Sequence, residues 1–138
     1  KTERGFYLYP QGTRIGTPDP EVLTIIEAER ARKGITPRSF SAGEIMERYM
    51  AAMVNEACEV LCESVALKPS DIDVTFVCGY GFPRFRGGPM KYADGYGLSK
   101  MLDNIHTYKT EDPVFWKPSP LLVDLVAAGK TFDDLNKG

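Results

Sequence analysis

The chain has 138 residues, enough for one domain with a buried core, and 43% apolar with 26% charged residues excludes wholesale disorder. Its net charge of −2 gives no general reason to expect a nucleic-acid partner. No apolar run approaches the roughly 18–20 residues that span a bilayer and no basic-then-apolar leader opens the sequence. Lys1 stands where Met would, so we expect a piece of something longer.

Residues 1–18, KTERGFYLYPQGTRIGTP, read as an extended arm. Phe6 and Leu8 alternate with Tyr7 and Tyr9 before Pro10, Gly12 and Gly16 interrupt the run. The sequence shows no partner strand, and an apolar arm without one is expected to pack on a neighbouring domain. Residues 19–138 read as a helical domain. Its first helix is punctuated by Asp19 as cap, Pro20 in the first turn and Gly34 as the left-handed stop. Val22, Leu23, Ile25 and Ile26 form its apolar face, and Arg30, Arg32 and Lys33 crowd its end.

A longer helix is expected from about Ser41 to Leu67, opened by the capping-box spacing Ser41-Ala-Gly-Glu44. Ile45, Met46, Tyr49, Met50, Met53, Val54, Ala57, Cys58, Val60, Leu61, Cys62 and Val65 make a stripe wide enough to be buried on more than one side. Its methionine spacing also suits a ligand surface, although core packing is the simpler reading. Ser70 is placed to cap a short helix over Asp71–Cys78, ended by Gly79. Further helices follow from Pro89, over Leu98–Tyr108, and over Pro120–Ala128 with Gly129 as its stop. A connector, Pro113–Pro120, carries Phe115 and Trp116, and Phe132 and Leu135 form a terminal turn. Every strong periodicity is helical, so the fold class is all-α with five to seven helices and an extended N-terminal arm.

The chemical inventory is thin. There is no GxGxxG after a strand, no Walker loop, no HExxH and no GxSxG. The single histidine, His106, lies on a predicted helix beside Ile105 and Tyr108 and reads as a helix-surface or interface residue rather than as the base of a hydrolytic triad. Asp71/Asp73 and Asp133/Asp134 sit near helix starts, where capping and dipole compensation explain them. Three cysteines, Cys58, Cys62 and Cys78, argue against a disulfide framework and for a reducing compartment. Cys58 and Cys62 share a helix face, but two ligands make no zinc site, so both are read as buried small side chains.

The segment GYGFPRFRGGPMKYAD, Gly79–Asp94, is the best candidate for function. If Phe82–Arg86 is extended, Arg84 and Arg86 point to one side, a two-pronged cationic surface for phosphate or carboxylate. Gly87, Gly88 and a helix starting at Pro89 would add backbone N–H groups to that site. The alternative is structural: glycines that permit positive φ and close helix contact, with arginines paired to acids of a neighbouring domain. Spacing alone favours the structural reading.

The string SDIDVTFVCGYGFPRFRGGPMKYADGYG, Ser70–Gly97, strongly resembles the carboxy-terminal domain of 3-hydroxyacyl-CoA dehydrogenases. Asp71-Ile72-Asp73, Gly79, Gly81, Pro83, Gly88-Pro89, Asp94 and Gly97 match the family pattern in order. VNEA (Val54–Ala57), Leu102 and the arm segment Arg4-Gly5-Phe6-Tyr7-Leu8-Tyr9 are also similar to the family. FPRFRGGPM and the ending FWKPSPLLVDLVAAGKTFDDLNKG look like the second copy of that domain, the tail of multifunctional fatty-acid β-oxidation proteins.

The resemblance implies a helical bundle of the kind shared with the 6-phosphogluconate dehydrogenase C-terminal domain. It implies a parent that joins an enoyl-CoA hydratase module, an NAD-binding Rossmann domain and two helical domains, and that acts on acyl-CoA. The family's catalytic residues and NAD fingerprint lie on the Rossmann domain, so no catalytic, cofactor-binding or metal residue is expected here. His106 lacks the family's His-x-x-Asn-Pro context. The expected role is to buttress the Rossmann and first helical domains of the same parent, or to stand in for a dimer partner. An alternative has Arg84, Arg86 or Lys91 contacting CoA phosphates; another is a stand-alone interaction domain. A homodimer of the piece is a further expectation. The implied location is the bacterial cytoplasm, or the peroxisome or mitochondrion of a eukaryote.

Overall fold

The computed structural model describes residues 5–10 and 13–137. Arg4 of the arm motif and Gly12 of its expected break therefore lie outside the described residues. The chain forms two compact units, residues 1–40 and 41–138.

In the first unit the arm supplies its own partner strand. β1 (Tyr7–Leu8) pairs antiparallel with β2 (Thr17–Pro18), Tyr7 opposite Pro18 and Leu8 opposite Thr17. The expectation of an unpartnered arm fails because two-residue strands carry too little alternation to be legible. Gly16 is required at the return: a Cβ there would lie 2.6 Å from Tyr7 Cβ and 2.9 Å from the Tyr9 ring. Helix α1 (Pro20–Lys33) starts and stops where its punctuation predicts. The Asp19 carboxylate accepts the Glu21 N–H at 3.0 Å, and Gly34 takes φ 65°. None of α1's residues is buried: on its apolar face Leu23 and Ile25 are exposed, and Val22 and Ile26 are half-buried.

The second unit contains α2 (Ala42–Cys62), α3 (Pro69–Gly79), a 3-10 turn (Arg84–Arg86), α4 (Pro89–Tyr96), α5 (Leu98–Tyr108), α6 (Pro120–Ala128) and α7 (Phe132–Leu135). Ser41 Oγ accepts the Glu44 N–H at 3.1 Å, which sets the start of α2. The helix ends before Leu67. Ser64 adopts φ 58°, and the Ser64 and Val65 N–H groups donate back to the Leu61 and Val60 carbonyls at 3.0 Å each. This is a Schellman stop with serine where glycine is usual, at a cost of about 1–2 kcal/mol. No glycine or proline announces it.

Helix α3 also begins earlier than expected. Pro69 takes its first turn, and the Asp71 carboxylate accepts the Lys68 N–H at 3.1 Å. Ser70 is not the cap; its N–H donates to Asn136 Oδ1 at 3.0 Å, across to the chain end. Gly79 lies inside the helix, and Gly81, at φ 72°, makes the left-handed turn instead.

Helix α2 packs against α4, α5 and α6, while α3 rests on α4 and α7. Val54, Cys58, Met90, Ala93, Met101, Ile105, Leu122 and Phe132 are fully buried at this junction. Each large apolar side chain there contributes about 1.5–3 kcal/mol by leaving water.

Candidate functional site

The Gly79–Asp94 segment is a turn followed by a helix, and no part of it is a strand. The Arg86 N–H donates to the Pro83 carbonyl at 2.9 Å, and Gly87 closes the turn at φ 78° with its N–H on the Arg84 carbonyl. Pro83, held at φ −57°, and left-handed Gly87 bend the chain where an extended run was expected. In a 3-10 turn of three residues per turn, Arg84 and Arg86 point about 120° apart rather than to one side. The two-pronged cationic face does not form. The Arg86 guanidinium lies 5.0 Å from the Tyr92 ring centroid and 5.5 Å from that of Phe85, and both Arg84 and Arg86 are exposed. Lys91 turns away and pairs with Asp133.

The Gly87 N–H expected to join an anion site is instead spent on the Arg84 carbonyl, and the N–H groups at the start of α4 receive a carboxylate of the protein itself. Asp73 accepts the Met90 N–H at 2.7 Å and the Lys91 N–H at 3.1 Å, capping α4 from the middle of α3. Burial raises the Asp73 carboxyl above its ordinary range; the two N–H groups counter this, and Asp94 and Asp133 add to the rise. Gly88 makes the approach feasible. It sits at φ 114°, and a Cβ there would lie 2.3 Å from Asp73 Oδ1. Asp94 repeats the device one helix further on, accepting the Phe132 N–H at 2.8 Å and the Asp133 N–H at 3.0 Å at the start of α7. Helices α3, α4 and α7 are thus tied in series by carboxylates that cap a neighbour. Asp71 and Asp134 cap locally, as expected, whereas Asp73 caps a helix other than its own.

Asn55, in the VNEA segment of α2, bonds to the chain more than sixty positions away, which no local spacing marks. Its Nδ2 donates to the Lys117 carbonyl at 2.9 Å, and its Oδ1 accepts the Ser119 N–H at 2.8 Å. One amide therefore clamps the connector that seats Trp116, which is 8% exposed and packs its ring 4.9 Å from that of Tyr108. His106 is exposed on α5, as expected. Cys58 is buried, but Cys62 and Cys78 are exposed, so the reading of Cys62 as a buried side chain is corrected. Among the described residues, no three His, Cys, Asp or Glu side chains gather as metal ligands would.

The α2 stripe is buried on one side only. Met50, Val54, Ala57 and Cys58 enter the core, whereas Met46 and Tyr49 are 49% and 57% exposed. The open side lines two cavities of about 670 and 450 Å³ that share Tyr49 and Phe76 as a common wall. The larger is walled by Met53, Val60, Leu67 and Ile72, and its charged lining residues are Glu56 and Asp71. The smaller has Arg86 as its charged lining residue.

Residues 43–138, nearly the whole second unit, match the family described as 3-hydroxyacyl-CoA dehydrogenase, C-terminal domain. The chain belongs to this family. It is 44% identical over 132 residues to the peroxisomal bifunctional enzyme of Danio rerio, covering 94% of this chain and 18% of that protein. Its identity to the human peroxisomal bifunctional enzyme is 39% over 133 residues, with the same coverage. The fatty acid oxidation complex subunit alpha of Shewanella amazonensis is 37% identical over 134 residues, 96% of this chain and 18% of that protein. The chain thus spans about a fifth of the length of these relatives. In this 3-hydroxyacyl-CoA dehydrogenase C-terminal domain, Asp73, Gly88 and Asp94 of the motif make helix-to-helix junctions. No helix of the described residues is long and apolar enough to cross a membrane.

Proposed function

We propose that the chain is the second-copy helical domain at the end of a multifunctional fatty-acid β-oxidation protein. The parent oxidises 3-hydroxyacyl-CoA to 3-ketoacyl-CoA with NAD and hydrates enoyl-CoA, and this domain buttresses the parts that do so. The observation that carries the structural role is where the motif's polar groups go. Asp73 and Asp94 are committed to capping α4 and α7, and Lys91 to Asp133.

NAD does not fit these residues. The glycines of Gly79–Gly88 follow a helix rather than a strand, and the α4 N-terminus, where a pyrophosphate would rest, already holds the Asp73 carboxylate. No step of hydride transfer is assigned to this chain. The apolar strip of Met53, Val60, Val65 and Leu67 is the surface offered to a neighbouring domain of the parent, given how much of the relatives' length lies outside this chain. In the isolated chain two copies can bury that strip against each other. The parent works where fatty acids are oxidised: the peroxisome or mitochondrion of a eukaryote, or the cytoplasm of a bacterium.

The purified chain should show no NADH-dependent reduction of acetoacetyl-CoA; clear turnover would overturn the structural role. The reading frame upstream should encode a strand, a GxGxxG turn and a helix, and a frame without them would remove the dehydrogenase parent.

A further inference from the structure

We propose that the smaller cavity binds a small organic anion carried on an apolar body. Its volume of about 450 Å³ is in the range of small-molecule sites. Tyr49 and Phe76 come from α2 and α3, and Tyr80, Phe82 and Phe85 from the loop that follows, so five aromatic rings line it. Met46 and Met50 supply adaptable apolar surface between them. Such walls favour a ring or a chain over a hydrated ion.

Charge then selects the sign of the ligand. Arg86 is the one charged group among the described lining residues, and it makes no carboxylate ion pair among the described residues. Contact with the Tyr92 and Phe85 rings limits its motion and leaves its hydrogen-bond donors for a carboxylate or phosphate. The neighbouring cavity has the opposite character, with Glu56 and Asp71 as its charged lining groups, and would repel the same ligand. Preorganisation supports the assignment. The Phe82 N–H donates to the Phe76 carbonyl at 3.0 Å, which ties the loop wall to α3, and Phe85 stands 85% exposed at the rim. This site is independent of the structural role proposed above: an inactive chain and an occupied cavity are separate results.

Calorimetric titration of the 138-residue chain tests it. Sodium 2-naphthoate presents a carboxylate on a ring, sodium decanoate presents one on a chain, and 2-naphthylmethylamine presents the same ring with a cation. At least one of the two anions should bind at one site per chain and the amine should not; the tighter anion identifies ring or chain as the body. Arg86→Gln should weaken anion binding about tenfold or more, the loss of a charge-assisted pair. Arg86→Lys should lie between, Phe85→Ala should weaken it severalfold, and Arg84→Gln should leave it unchanged. Circular dichroism should show the fold intact, because Arg84, Phe85 and Arg86 are exposed. Silence with both anions, equal binding of the amine, or indifference to Arg86→Gln would overturn the proposal.

Discussion

Gly88→Ala is the sharpest perturbation of the motif. A Cβ at this position would lie 2.3 Å from Asp73 Oδ1, 2.4 Å from its Cβ and 2.5 Å from its Cγ, so the capping carboxylate has to move. The backbone also sits at φ 114°, where an alanine is strained by about 1–3 kcal/mol. Displacing Asp73 frees the Met90 and Lys91 N–H groups, and loss of an N-cap costs about 0.5–2 kcal/mol. A buried carboxylate left short of donors adds about 1–3 kcal/mol. These contributions overlap, so the expected destabilisation is about 3 kcal/mol or more. At about 4–8 °C per kcal/mol for a unit of this size, that lowers the melting temperature by about 12–24 °C. Gly95→Ala is the control. Gly95 lies within α4, the helix that Gly88 precedes, with open space around it, and the substitution should be stabilising by about 0.4–1 kcal/mol. Urea unfolding followed by circular dichroism reads both. A Gly88→Ala cost below about 1 kcal/mol, or equal effects at the two glycines, would refute the reasoning.

Two further outcomes follow from the same network. Asn55→Ala removes both bonds to the connector and should cost about 1–3 kcal/mol, with a red shift in the emission of the sole tryptophan, Trp116, in the folded state; an unchanged spectrum and stability would deny the clamp. The Asp134 carboxyl is held down, from its ordinary 3.8 to about 2, by Lys137 first and by the Thr131 N–H and hydroxyl. A lowered carboxyl binds fewer protons in the folded state, so it contributes stability that is fully present above the ordinary value and is lost as pH falls through about 2. The stability difference between the wild type and Asp134→Asn should therefore be constant near neutrality and shrink toward zero over that acid range. A difference that does not change with pH would count against the capping role.

The local chemistry of this chain was legible residue by residue. Asp19, Pro20 and Gly34 bound α1, and Gly129 stops α6, because a cap and the backbone groups it satisfies lie within a few positions of each other. The periodicity of Leu98–Tyr108 marks α5, and its buried face is Leu98, Met101, Leu102, Ile105 and Tyr108. The motif of Ser70–Gly97 identified the family for the same reason: its glycines, proline and aspartates stand in fixed order along the chain.

What the residues do to one another was decided in three dimensions. Asp73 reaches Met90 across 17 positions and Asp94 reaches Phe132 across 38, and no local pattern encodes either bond. Arg84 and Arg86 carry the same charges in a strand or a turn; Pro83 and Gly87 together set the 3-10 geometry that separates them. A wide apolar stripe on α2 says that burial is favourable, but it does not say which side the other helices occupy. Packing by α4, α5 and α6 buried one side and left Met46, Tyr49 and Met53 to line the two cavities. Short-range hydrogen bonding is set by sequence spacing, whereas long-range capping and the placing of a cavity depend on which surfaces meet after the chain has folded.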